Sequence, residues 1–244
     1  MMRRLSAIAG AVFLDAVKRR VVYAVLFFAA VLAFSAPSLP SYGAGVDVGV
    51  YREVALSLTF AASLVLALAL SVNRIPSEVE RRTVYNVVAR PVSRWEYVAG
   101  TWLGITAVMG VVIAAFTAID QLVGLARYGQ PMWQLWQGAL AIWFETGVLT
   151  AFAVAMSAMS GAVVVTVATL TFAFIGHSRQ PVLASFPAFP GWLYPSLDGF
   201  NVINPVAHGS GIGLPYVGLM ALVFAGWVAA LLALGSLAFA RRDL

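Results

Sequence analysis

Apolar residues run along this chain in long stretches with short polar punctuation, and six of the stretches approach the roughly 20 residues a helix needs to cross a bilayer core. They lie at residues 21–36, 54–72, 97–119, 138–158, 161–176 and 214–240. No charge divides the fourth from the fifth, and only Met159-Ser160-Gly161 marks a turn there. Ahead of the first stretch, Leu5, Ile8, Ala9, Val12, Phe13, Ala16 and Val17 recur at helical spacing, with Arg3, Arg4, Ser6, Asp15, Lys18 and Arg19 on the remaining surface. That pattern predicts an amphipathic helix over 3–20 lying in the headgroup plane; a simple extension of the first span is the alternative.

The distribution of charge orients the set. With six spans and a cytoplasmic start, Arg3, Arg4, Lys18, Arg19, Arg20, Arg74, Arg81, Arg82, Arg90, Arg94, Arg241 and Arg242 fall inside, leaving Arg52, Arg127 and Arg179 outside. Fusing spans four and five would put Arg241 and Arg242 on the wrong face. The expectation is an all-α membrane protein of six transmembrane helices, one domain, in the cell inner membrane with both termini cytoplasmic. Composition agrees, with 61% hydrophobic and 10% charged residues. The net charge of +5 then reports orientation and anionic lipid, and no nucleic-acid partner is expected. Cysteine is absent, which excludes disulfides, thiolate nucleophiles and cysteine metal sites. A cleaved signal peptide is not expected, because the second basic cluster, Lys18-Arg19-Arg20, precedes the first span.

The densest charge lies at residues 75–96, between spans two and three. Ser77 with Glu80, and Ser93 with Glu96, have the spacing of capping boxes, so each predicts a helix start. The first helix would run from Glu78 to Ala89 and stop at Arg90-Pro91, where proline removes a donor and disfavours helical geometry before it. Such a helix can seat in a groove of a soluble partner or serve as a solvated connector.

Chemistry within the spans is sparse. Glu145, in span four, is the one ionisable residue near the middle of a span, either a substrate-path residue or a carboxyl that holds helices together. Asp120 and Gln121 are expected at the outer interface, where solvation accounts for them. Gly100 and Gly104 form a GxxxG step that permits close packing. Residues 177–213 carry Pro181, Pro187, Pro190, Pro195 and Pro205 among aromatics, too broken to span and too apolar to be freely solvated; an aromatic-anchored interfacial loop is one reading. An intramembrane enzyme built on Ser160, His177, His208 and Glu145 is disfavoured, because the topology sets Ser160 inside and both histidines outside, so that they cannot meet. Two scattered histidines also lack the spacing of a helical zinc site, and no metal is expected. A channel or structural subunit would need no elaborate inner loop, and a pore would show polar residues repeating along a span.

Ile75-Pro76, Glu78, Glu80, Arg82-Thr83, Arg90-Pro91-Val92-Ser93-Arg94, Glu96-Tyr97 and Gly100 together resemble the first cytoplasmic loop of ABC-2 type transporter permeases, in particular the NosY-like branch. Thr101 departs from the pattern, where a lysine would follow the glycine. The resemblance implies two six-span subunits, as homodimer or heterodimer, above two ATP-binding cassette subunits that hold ATP and Mg. It implies that loop 75–96 supplies a coupling helix, with Glu78, Glu80, Arg81, Arg82, Thr83, Arg90, Pro91 and Arg94 toward the ATPase. It further implies short re-entrant helices over 177–213 that close the outer mouth, which makes Phe186, Phe189, Trp192, Phe200 and Asn201, with Glu145, candidates for a gate or substrate path. The chain has no GxxxxGK[ST] loop and its only lysine is Lys18, so hydrolysis must occur on another chain and no cofactor is expected on this one. ATP-coupled export of a hydrophobic or amphipathic substrate ranks first, since no charged pair is foreseen within the spans. A NosY-like role in metalloenzyme maturation comes second, and a channel, structural protein or enzyme third.

Overall fold

Helix formation here follows from composition and caps, and packing follows from where small residues interrupt large ones. The computed structural model describes residues 2–17, 26–28, 30–31, 34, 46–72, 93–178, 181, 184–185 and 194–240. Among them the fold is all-helical: α1 (Met2–Ala16), α2 (Val46–Ser71), α3 (Arg94–Tyr128), α4 (Leu135–Ser157), α5 (Ala162–His177), a 3-10 turn at Leu197–Phe200, α6 (Ile203–Ala207) and α7 (Leu214–Ala240). Four of these, α2, α3, α4 and α7, are long and apolar enough to cross a membrane. At 1.5 Å per residue the 16 residues of α5 reach about 24 Å, less than the roughly 30 Å hydrocarbon core. Of the stretch at 21–36, residues 26–28, 30–31 and 34 are described and helical, and Phe28 meets Phe116 of α3 edge-on at 6.2 Å.

Two helices outrun their apolar stretches. α2 begins at Val46 rather than near 54, and α3 extends from Arg94 to Tyr128 rather than ending near 119. The start of α3 follows from its capping box: the Ser93 hydroxyl accepts from the Glu96 amide and the Glu96 carboxylate accepts from the Ser93 amide at 2.9 Å, which satisfies two otherwise orphaned donors. Its end is set by Gly129, in the left-handed region at φ 68°, a conformation glycine adopts at no steric cost. The other box, Ser77 with Glu80, lies outside the described residues.

The expected apolar face of α1 is the one it buries. Val12 and Ala16 are buried, and Ile8 and Phe13 pack on the core, all against the first turns of α3. The GxxxG step makes this approach possible: a Cβ on Gly100 would stand 2.8 Å from Ile8 Cγ2, and one on Gly104 would stand 2.6 Å from Val12 Cβ.

α4 is the axle of the bundle. In its most apolar stretch 78% of residues are buried, against 17% in α7, so α4 is enclosed by α2, α3, α5 and α7 while α7 lies at the rim. Indole groups tie α3 to α4 in both directions: Trp102 Nε1 donates to Gly147 O at 2.9 Å and Trp143 Nε1 donates to Thr106 O at 3.0 Å. Phe224 of α7 fills the angle between them, 4.9 Å from the Phe144 ring and 5.9 Å from Trp143, contacts of the kind worth about 0.5–1.5 kcal/mol each beyond burial.

Replacing Gly104 by Leu is expected to force α1 off α3 and cost about 1–3 kcal/mol, the usual range for overpacking. Gly226→Ala, at a position with no heavy atom near the added Cβ, is expected to leave the melting temperature unchanged or slightly raised. Thermal unfolding of the two purified variants in one detergent measures the contrast.

Candidate functional site

Glu145 and His177 are brought together by the α4–α5 hairpin. Each lies 16 residues from Gly161, so two antiparallel helices folded at that turn set them at the same level. Their side chains join, His177 Nε2 to Glu145 Oε1, at 2.7 Å. The carboxylate is sealed, at 3% exposure, whereas the imidazole keeps 30%. This brings together two of the four candidates, Glu145 and His177, and overturns the premise that the spans hold no charged pair. His177 belongs to the last turn of α5 and not to the outer segment 177–213 in which its sequence position put it. Ser160 stays at the hairpin turn. His208 is turned to its own helix, Nδ1 to Asn204 O at 3.0 Å.

Around the pair the walls are apolar and close. The Phe60 ring of α2 meets the imidazole edge-on at 5.8 Å. Phe200, 3% exposed, sits against Phe144 at 6.5 Å between ring centres. Gly176 has Leu197 pressed against it, since an added Cβ would lie 2.6 Å from Leu197 Cδ1, which holds the 3-10 turn to the end of α5. Glu145, His177, Phe60, Phe200 and Asn201 then line a cavity of about 30 Å3, room for a water molecule and little more. Such an arrangement can hold a proton or a water between two polar groups in an apolar wall, and it fastens α4 to α5. Among the described residues that line it there is no serine, threonine or cysteine. Asn201 uses its Oδ1 locally, accepting from the Ile203 amide at 3.4 Å.

A second buried polar group corrects another expectation. Asp120 is 2% exposed: Thr59 Oγ1 donates to its Oδ2 at 3.2 Å and the Tyr51 hydroxyl donates to its backbone oxygen at 2.8 Å. Solvation does not account for it, because the lengthened ends of α2 and α3 enclose it between them. Gln121 accepts the Met132 amide at 3.2 Å and so secures the α3–α4 connection. No local pattern announces either partnership, whereas equal spacing about Gly161 would have found His177.

Of the residues proposed for coupling, Glu78, Glu80, Arg81, Arg82, Thr83, Arg90 and Pro91 lie outside the described residues, as do Phe186, Phe189 and Trp192 of the proposed gate. Glu145, Phe200 and Asn201 share one cavity. Arg94 stands apart, at the end of the bundle where α3 begins and α7 finishes. Near that end, an apolar groove of about 660 Å3 runs between α4 and α7, lined by Phe152, Met156, Met159, Leu231 and Leu234 among others.

Residues 7–177 match the family model described as ABC-2 family transporter protein. No curated protein matches the chain at a significant level.

Breaking the pair from one side should cost more than removing both partners. His177→Ala leaves a sealed carboxylate without its partner, a change that costs roughly 3–5 kcal/mol in buried pairs. The double variant Glu145→Leu/His177→Ala should recover part of that loss. Melting temperatures in detergent decide it, and equal losses in the two would mean the pair contributes nothing as a pair.

Proposed function

This chain belongs to the ABC-2 family of transporter proteins and is a membrane permease of ABC transporters, and from that premise we propose that it exports a hydrophobic or amphipathic substrate using ATP hydrolysed on a partner subunit. It is a transport subunit, not itself catalytic. The observation that carries the proposal is the family match, because residues 7–177 take in the charged loop 75–96 as well as the helices around it. In this reading the end of the bundle that holds α1 and the start of α3 is cytoplasmic. There the loop presents Glu78, Glu80, Arg81 and Arg82 to an ATP-binding subunit, and Thr83, Arg90 and Pro91 shape the helix that carries them. The subunit is completed by a second permease chain, identical or related, in the inner membrane.

The apolar groove between α4 and α7 supports an apolar cargo, since no charged residue lines it among the described residues. Glu145 and His177, with Phe200 and Asn201, form the polar point of the path near the opposite end, and Phe186, Phe189 and Trp192 belong to the same closure. A NosY-like role in metalloenzyme maturation is the second reading. It is favoured by the particular order of Arg90-Pro91-Val92-Ser93-Arg94 and Glu96-Tyr97 in the loop.

Co-expression with the ATP-binding subunit encoded nearest to the chain, followed by purification in nanodiscs, tests the proposal. Glu80→Ala and Arg82→Ala should each weaken association with the ATPase by about tenfold, equivalent to about 1.4 kcal/mol, and lower the ATPase rate with it. Arg127→Ala, at the other end of α3, should leave both unchanged. Failure of any ATPase to co-purify with the wild-type chain would remove the ATP-coupled reading.

A further inference from the structure

The final carbonyls of a helix have no donor within the helix, and for α7 the donor comes from another part of the chain. Arg94 Nη1 lies 2.6 Å from Phe239 O and 2.9 Å from Ala240 O. Its guanidinium carbon stands 5.8 Å from the centre of the Phe239 ring, and Tyr97, about one turn further along α3, stacks on that ring at 5.7 Å with planes 23° apart. Phe239 is wholly buried. A cation at this position also meets the negative end of the helix dipole. The loop pattern alone would have sent Arg94 outward to a partner protein with Arg82 and Arg90, but these bonds direct it to α7.

What surrounds this contact gives it mechanical meaning. The Ser93–Glu96 capping box makes the turn from loop to helix stiff, and α1 is packed against Gly100 and Gly104 within the next two turns. The end of the charged loop, α1, α3 and α7 are therefore fastened together over a short length. Higher in the bundle α3 also meets α7 through Trp102 and Phe224 at 6.2 Å.

We propose that Arg94 is a positioning residue that makes α7 move as one body with the end of loop 75–96 and the first turn of α3, so that a displacement of the loop reaches α7 directly. The displacement rests on the ATP-coupled function proposed above; the fastening does not. Bulk at position 94 is not what matters here, since two carbonyls need hydrogen-bond donors. Lysine retains donors and charge, and methionine retains length alone.

The absence of native cysteine allows one pair of spin labels to be placed without background, on Trp95→Cys and Leu237→Cys, both at exposed positions. Pulsed electron spin resonance on the full-length labelled chain in nanodiscs should give a single narrow distance distribution. Arg94→Ala and Arg94→Met should lose that narrow peak, and Arg94→Lys should recover it. A narrow peak retained in Arg94→Ala, or recovered by Arg94→Met, overturns the fastening. In the complex with its ATPase, Arg94→Ala should keep the ATPase at wild-type stoichiometry while losing any nucleotide-dependent shift of the α7 label that the unsubstituted chain shows. Loss of the ATPase with the narrow peak unchanged would make Arg94 a docking residue and overturn the proposal. If the wild-type chain binds no ATPase, the ATP-coupled function and the transmission fall together, while the first measurement still decides the fastening.

Discussion

Hydrocarbon offers no hydrogen-bond partner to a polar atom, and the internal arrangement of this bundle answers to that constraint. Hydroxyls on the helices turn back to their own backbone: Thr117 donates to Ile113 O, Thr150 to Thr146 O, Thr169 to Val165 O and Ser236 to Leu232 O. Other groups reach a neighbour instead, although among the described residues the buried Ser63, Thr101 and Thr106 hydroxyls make no hydrogen bond. The indoles of Trp102 and Trp143 cross between α3 and α4, Thr59 and Tyr51 of α2 reach Asp120 of α3, and His177 of α5 reaches Glu145 of α4. Each crossing fixes a pair of helices in register, because lipid supplies no substitute if the bond is lost.

These crossings divide labour along the bundle. Midway along α4, where Glu145 sits, the helix is enclosed by its neighbours, so the carboxylate lies inside protein while the imidazole stays partly exposed. The aromatic wall of Phe60, Phe144 and Phe200 around it leaves space for a water but for no sizeable ligand. A substrate path through this point would require Phe200 and its 3-10 turn to move, and that turn is held by Leu197 on Gly176 and by the Tyr216 hydroxyl, which donates to Gly199 O at 2.7 Å. Because Tyr216 belongs to the first turn of α7, the 3-10 turn at one end is tied to the same helix that Arg94 holds at the other. α7 thus runs from the 3-10 turn at one end to the start of α3 at the other as a single 27-residue element with few buried positions.

Much of the architecture was legible beforehand. Apolar stretches located α2, α3, α4 and α7 and the shorter α5, and the spacing of Leu5, Ile8, Val12 and Ala16 identified the face by which α1 packs. The pattern of Ser93 and Glu96 placed the start of α3 to the residue, and GxxxG at Gly100 and Gly104 foretold a close approach without naming the helix that makes it. Helix ends were less legible, since α2 and α3 continue through charged residues that hydropathy assigns to the interface.

Membrane class, helical content and local caps were determined by sequence alone, since burial in hydrocarbon requires long apolar helices and caps depend on residues three apart. Partnership between distant residues was decided by the tertiary structure: Arg94 with Phe239 and Ala240, Asp120 with Tyr51 and Thr59, Phe60 with His177. Residues dozens of positions apart become neighbours only once helices have chosen their packing, and that choice depends on which small residues let which backbones approach. Glu145 and His177 mark the boundary between the two cases, for a single tight turn carries enough information to pair them, while the helices that enclose them come from elsewhere in the chain.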